Sequence, residues 1–389
     1  MYRKRYTVAT SRMSTSASTQ TIVPDTTPGP GQSSQAWHDL HWLIDSPDLL
    51  APATDLPLAR WPALAQQEIH QWLAQEGHTP QTLTHDFHTR FRRLGLYAEA
   101  LLHAALQHAD SIELLAHHSP IHINTNRARS ATRQTIGELD YIWRDRSNQQ
   151  VWHWELAVKF YLYVPQAHGL LDADRFVGLQ QRDTLARKTA KMRDQQLPLS
   201  AMPEVTQQLG LHVNHVAAYV KGWLFYPIQS GRCDDYVLAA APAQAMLNPR
   251  HLRGWWLRYA DFVTHLEQDT APGKLRWRVL SRMQWLSPQQ ADVAQTLDAT
   301  ALLAYLQSWF CPKTTAHGPG PGLLVVALAP VDSTVPAISP DASATDVAER
   351  ASAAAASETR QAPPAPSGQT YAEVHRGFVV PNAWVGTLL

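Results

Sequence analysis

Cysteine is almost absent. Two in 389 residues, Cys233 and Cys311, cannot build a disulfide framework or a four-thiolate zinc site. Both read as core or near-surface thiols, which suits a reducing cytoplasm. No apolar run reaches the roughly 18 residues of a membrane span. The N-terminus lacks the apolar stretch of a secretory signal. An excess of one charge is missing too: 33 Lys and Arg balance 33 Asp and Glu. That excludes a basic coating protein or an acidic tail protein as a description of the whole chain. Several catalytic signatures are also lacking. There is no HExxH, no Cys/His zinc spacing and no G-x-S-x-G elbow, and the glycines at 318–322 lead to no GK[ST]. His117, His118 and His122 therefore read as loop and surface residues.

What is present is apolar mass. Hydrophobic residues make up 44% and Trp alone numbers 14, enough for a sizeable core. At roughly 100–200 residues per domain, the length implies two domains or one large one with appendages. Residues 1–35 are rich in Ser, Thr, Pro and Gly and read as a disordered leader. Arg3, Lys4, Arg5 and Arg12 give it a weak likeness to a transit peptide, but a leader or a start at Met13 is preferred. A helical segment is expected over 36–84, with order beginning near Trp37. A core over 85–228 and an α+β extension over 229–330 follow. In 331–367, Ala, Ser and Pro fill 22 of 37 positions, so a disordered insert is expected over 331–368. The last segment, 369–389, should supply a strand around Gly377–Val380 that pairs with 322–329.

Within the core the hydrophobic period changes. Residues 85–108 repeat at helical spacing, with Phe87, Phe91, Leu94, Ala98 and Leu101. Strands are expected from 119, over 133–145 and over 150–164. A helix follows at 181–196 and a strand at 213–226. Beyond it, 251–268 and 288–309 read as helices. The order helix, three strands, helix, strand defines a mixed α/β layer.

The two long strands carry the chemistry. One face of the second holds Trp152, Trp154, Leu156 and Val158. The other holds His153, Glu155, Ala157 and Lys159. In the first, Ile136, Glu138, Asp140 and Ile142 share a face, with Leu139, Tyr141 and Trp143 opposite. A hairpin around Arg144–Gln149 brings Asp140 near Glu155. Two carboxylates on one sheet face repel unless a cation lies between them, and oxygen ligands suit Mg²⁺ or Mn²⁺. A nearby lysine can act on water or phosphate. The plainer reading is that Glu155 and Lys159 pair with neighbours on a half-exposed sheet.

The segments Gly137-Glu138-Leu139-Asp140 and His153-Trp154-Glu155-Leu156-Ala157-Val158-Lys159-Phe160-Tyr161-Leu162 resemble a bacterial family of unknown function. That family is grouped with the PD-(D/E)XK nuclease-like superfamily. The likeness extends from Leu94–Leu102 through Val220–Pro227 and Gly254-Trp255-Trp256 to Arg376–Pro381. It implies an α/β, restriction-endonuclease-like core and a cytoplasmic, Mg²⁺- or Mn²⁺-dependent nuclease acting on DNA or RNA. It further implies Asp140 and Glu155 as metal ligands, Glu99 as an additional acid and Lys159 as the catalytic lysine. The usual acid-x-Lys spacing is not met, because Ala157 stands where the lysine belongs. His153, Lys188 or Lys191 are then candidate substitutes. The alternative is a non-catalytic member, either a nucleic-acid-binding module or an interaction scaffold. The 181–194 helix carries a net charge of +3, so Arg187, Lys188 and Lys191 are candidate phosphate contacts. A second basic stretch, 250–282, is interleaved with Trp255, Trp256 and Trp277.

Overall fold

A computed structural model describes residues 35–384 apart from 53, 76–82, 84–86, 128–129, 168–171, 232–235, 239–245, 268–274, 312–319 and 332–368. The leader read over 1–35 lies outside the described residues except for Gln35. The insert read over 331–368 lies outside them except for Val331. Cys233 is also outside, and Cys311 is exposed.

Three helices precede the sheet: α1 (Gln35–Asp45), α2 (Ala63–Leu73) and α3 (Leu94–His108). Their apolar faces bury Leu40, Leu43, Ile69, Trp72, Tyr97, Leu101 and Leu102. The meander follows as β1 (Ile112–Arg127), β2 (Ser130–Asp145) and β3 (Val151–Tyr163). The first strand starts earlier than the expected 119, because Pro120 lies inside the β1–β2 ladder instead of ending it. After the short β4 (Phe176–Gly178) comes α4 (Leu185–Lys191), prolonged by a π turn over Met192–Gln196. Then come α5 (Pro203–Leu209) and β5 (His215–Gly231). The helix, three strands, helix and strand expected over 85–228 are thus present in that order, although 228 falls inside β5.

The C-terminal part adds β6 (Tyr236–Leu238), β7 (Leu252–Arg258), α6 (Tyr259–Glu267), β8 (Arg276–Leu280), β9 (Gln290–Asp292), α7 (Ala299–Phe310), β10 (Leu323–Pro330) and β11 (Thr370–Val380). Two expected helices were too long. Residues 251–268 begin as β7, because Gly254, Trp255 and Trp256 are consecutive buried positions of an inner strand. Residues 288–309 open with β9 and a helical turn before α7, which Asp298 caps. The expected pairing across the insert is present, with Leu323 opposite Val379 and Val325 opposite Gly377.

All strands join one sheet of order β1-β2-β3-β5-β7-β11-β10-β8, with β4, β6 and β9 at its margins. Neighbours among β3, β5, β7 and β11 are parallel, and the flanking strands are antiparallel. Helices α1–α3 cover one face, over Trp143, Trp154, Tyr219 and Phe225. Helices α4 to α7 cover the other. The result is a three-layer mixed α/β fold. Among the described residues, no helix is long and apolar enough to cross a membrane.

Candidate active site between strands β2 and β3

The β2–β3 hairpin is tied at its turn by Asp145, which accepts from Ser147 N at 2.8 Å and from Asn148 Nδ2 at 3.1 Å. From there the ladder runs from Arg144 opposite Val151 to Tyr141 opposite Trp154, and stops. The next pair in register is Asp140 and Glu155. There β2 leaves β3 to follow β1, so the strands part where the two carboxylates stand. The Asp140 side chain bridges the opening: Oδ2 accepts from the Leu156 backbone N–H at 2.9 Å. It replaces a strand carbonyl that has moved away.

One face assignment changes here. Leu139 packs with Ile142, Ile121 and Val151, not with Tyr141 and Trp143. Strict alternation fails beside Asp140. His118, across from Asp140 in β1, adopts a φ of 46°, and the β1–β2 register slips between Leu114 and Ala116. Such irregularities re-aim side chains.

Glu155 is fully buried. Its Oε1 meets His153 Nε2 at 2.9 Å, and His153 Nδ1 meets Ser200 Oγ at 3.0 Å. The other oxygen, Oε2, accepts from Gln196 Nε2. Gln196 Oε1 in turn accepts from Lys188 Nζ at 2.8 Å. The π turn after α4 carries Gln196, so helix and strand meet through one amide. Burial first, then the neighbouring Glu155 and Glu99 charges, push the Asp140 carboxyl up to about 8. Burial and the Lys159 charge bring the Lys188 ammonium down to about 8, against the opposing pull of Glu155 and Asp140. Burial also raises Glu99.

Residues 38–380 match the family described as a domain of unknown function, DUF1853. The chain belongs to the DUF1853 family. No curated protein and no solved structure matches it.

In this DUF1853 chain the expected site residues divide. Asp140, Glu155 and Lys188 come together. Glu99 lies within Coulomb reach of them, but His118 Nε2 holds its Oε2 at 3.3 Å. Lys159 is engaged elsewhere: its Nζ donates to Asp183 Oδ2 at 2.7 Å, and Tyr161 donates to the same oxygen at 2.9 Å. Gly222 stands opposite Lys159 in β5, where a Cβ would lie 1.8 Å from the Lys159 carbonyl oxygen. Arg187 and Lys191 are exposed on α4. Trp255 and Trp277 from the second basic stretch are core residues.

The reading of His117, His118 and His122 as loop residues is corrected. All three lie in β1, and His118 also meets Glu138 Oε1 at 3.0 Å. Gln196, Ser200, His118 and Asp183 escaped sequence reasoning, since their roles depend on elements far apart in the chain. Among the described residues, no group of three or more His, Cys, Asp or Glu side chains is placed to hold a metal ion.

Proposed function

We propose that this DUF1853 protein has a restriction-endonuclease-like core and hydrolyses phosphodiester bonds in DNA or RNA with a divalent cation. The observation that carries the reading is the pair Asp140 and Glu155 at the point where β2 and β3 part, with Lys188 tied to Glu155 through Gln196. Two carboxylates suffice for Mg²⁺, which keeps several waters and takes substrate oxygens for its remaining positions. Asp140 and Glu155 would hold the ion, with Glu99 adding negative charge nearby. When bound, such an ion stabilises charge on the phosphate and acidifies a bound water.

The chain's own groups do the rest. His153 orients Glu155 through Oε1. Lys188, with its ammonium near 8, can exchange a proton close to neutral pH, which is the condition for acid–base work. It takes the role that the spacing denies to Lys159. Arg187 and Lys191, exposed on the same helix, would meet backbone phosphates.

A second reading rests on Glu155 itself. Both of its oxygens already have protein partners, His153 and Gln196, as in a non-catalytic binding module or interaction scaffold. The test compares wild type with Asp140→Asn and Glu155→Gln on labelled single- and double-stranded DNA and RNA, with Mg²⁺ or Mn²⁺. Metal-dependent cutting, lost in both folded variants, is expected. No cutting of any substrate, with metal affinity equal in all three proteins, leaves the scaffold.

A further inference from the structure

A second polar site lies on the opposite face of the sheet from Glu155. Lys221 of β5 stands between Tyr219 and Trp223 in the alternation of that face. Only 4% of Lys221 is exposed, and its Nζ donates to the Ser46 carbonyl. The same Nζ meets Asp48 Oδ1 at 3.1 Å, while Arg60 pairs with Asp48 Oδ2. These residues line a cleft of about 300 Å³ with Asn248, Arg250, Leu50 and two prolines. Ser46 is 5% exposed, and its hydroxyl is buried without a hydrogen-bond partner.

The charges do not balance. Arg60, Lys221 and Arg250 line the cleft with one carboxylate, Asp48, and even with Asp45 acting on Lys221 from nearby the three cations outnumber the two acids. Asp48 already divides its two oxygens between Arg60 and Lys221. The Arg250 guanidinium is exposed and has no ion-pair partner among the described residues. An anion entering the cleft would meet this excess of positive charge. Guanidinium groups match phosphate oxygens in bidentate fashion. The Ser46 hydroxyl is a spare donor, and Leu50 with the prolines offers an apolar wall for an organic group.

We propose that this cleft binds a phosphate group as its dianion, with Arg60, Lys221 and Arg250 as the cationic contacts. The ligand's source is either free phosphate or the phosphate of a nucleotide-sized ester. Isothermal titration in EDTA, which keeps divalent ions out of the acid cleft, separates these with inorganic phosphate and AMP as probes. AMP binding, weakened at least tenfold in both Arg250→Ala and Arg60→Ala, is expected. Equal affinity for the two probes assigns free phosphate, and tighter AMP assigns the ester. Asp140→Asn should bind like wild type, so failure of the nuclease reading leaves this result standing. No binding of either probe, or binding that both arginine variants keep in full, overturns the proposal. Circular dichroism and thermal melts confirm that the variants are folded, and Arg250→Ala removes only an exposed side chain.

Discussion

Two buried charge clusters sit in one sheet and are built in opposite ways. In the C-terminal half, Arg376 of β11 is 1% exposed and every group around it is matched. Its guanidinium donates to Glu373 at 2.6 and 2.9 Å, to the Trp285 carbonyl at 2.6 Å and to the Ser287 carbonyl at 2.7 Å. It also stacks over Trp223, 4.2 Å from the ring centre. Glu373 takes a further N–H from Gln289. Between β2 and β3, by contrast, Asp140, Glu155 and Glu99 crowd like charges together. Lys188 reaches Glu155 through an amide instead of directly. A closed network of this kind holds a fold. A cluster that holds a carboxyl near pH 8, by burial first and neighbouring carboxylates second, is one whose ionisation a bound cation would favour.

Removing one partner from each cluster should separate them most sharply. Arg376→Ala strands a buried carboxylate and should cost about 3–5 kcal/mol in urea unfolding. A loss under about 1 kcal/mol would mean that the network is not the clamp its geometry indicates.

The next contrast lies between two lysines. On the proposed nuclease reading, Lys188→Met should lower turnover by about a hundredfold or more. It should also abolish a rise in rate through about pH 8 as the amine is freed. Lys159→Met, which breaks a half-exposed pair with Asp183, should shift stability by no more than about 1 kcal/mol and should keep the rise in rate but move it to higher pH, since the Lys159 charge helps hold the Lys188 ammonium down. Matching rates and profiles for the two variants would dissolve the distinction.

Asp140→Asn should stabilise the protein, where Arg376→Ala harms it. The folded carboxyl sits near 8, above its ordinary unfolded value near 4. Wild-type stability from this group is therefore intact below about pH 4. It falls as pH rises toward 8, because the unfolded state ionises first. The variant should gain about 1–3 kcal/mol at pH 7, after allowance for solvent around a half-buried group, and nothing at pH 4. Melting curves at both values check this, and an equal gain at each would contradict it.

The smallest effect is on proton balance. At pH 7 Asp140 is mostly protonated, so Mg²⁺ should displace about one proton on binding and close to none at pH 9. Calorimetry in buffers of different ionisation heat reads the number directly.

The same contrast shows where sequence reading works. Periodicity located α3, β2, β3, α4, β5 and the β10–β11 pairing, because each buries a regular apolar stripe that the residue order itself writes. It failed at Gly254-Trp255-Trp256, where an inner strand with both faces covered has no alternation to distinguish it from a helix. It failed again at Leu139, where the distortion at His118 turns a residue that alternation places on the other face.

The sequence by itself determined the α/β order and the placing of Asp140 and Glu155 on one hairpin, since strand alternation and a short turn leave few other arrangements. Tertiary structure decided the rest. Only the divergence of β2 from β3 opens a gap at the two acids. Only the π turn after α4 hangs Gln196 between Glu155 and Lys188, and only the approach of Asp183 draws Lys159 away. The physical reason is reach: a side chain's partner is set by what folds within a few ångströms of it, and those neighbours come from elements tens of residues apart.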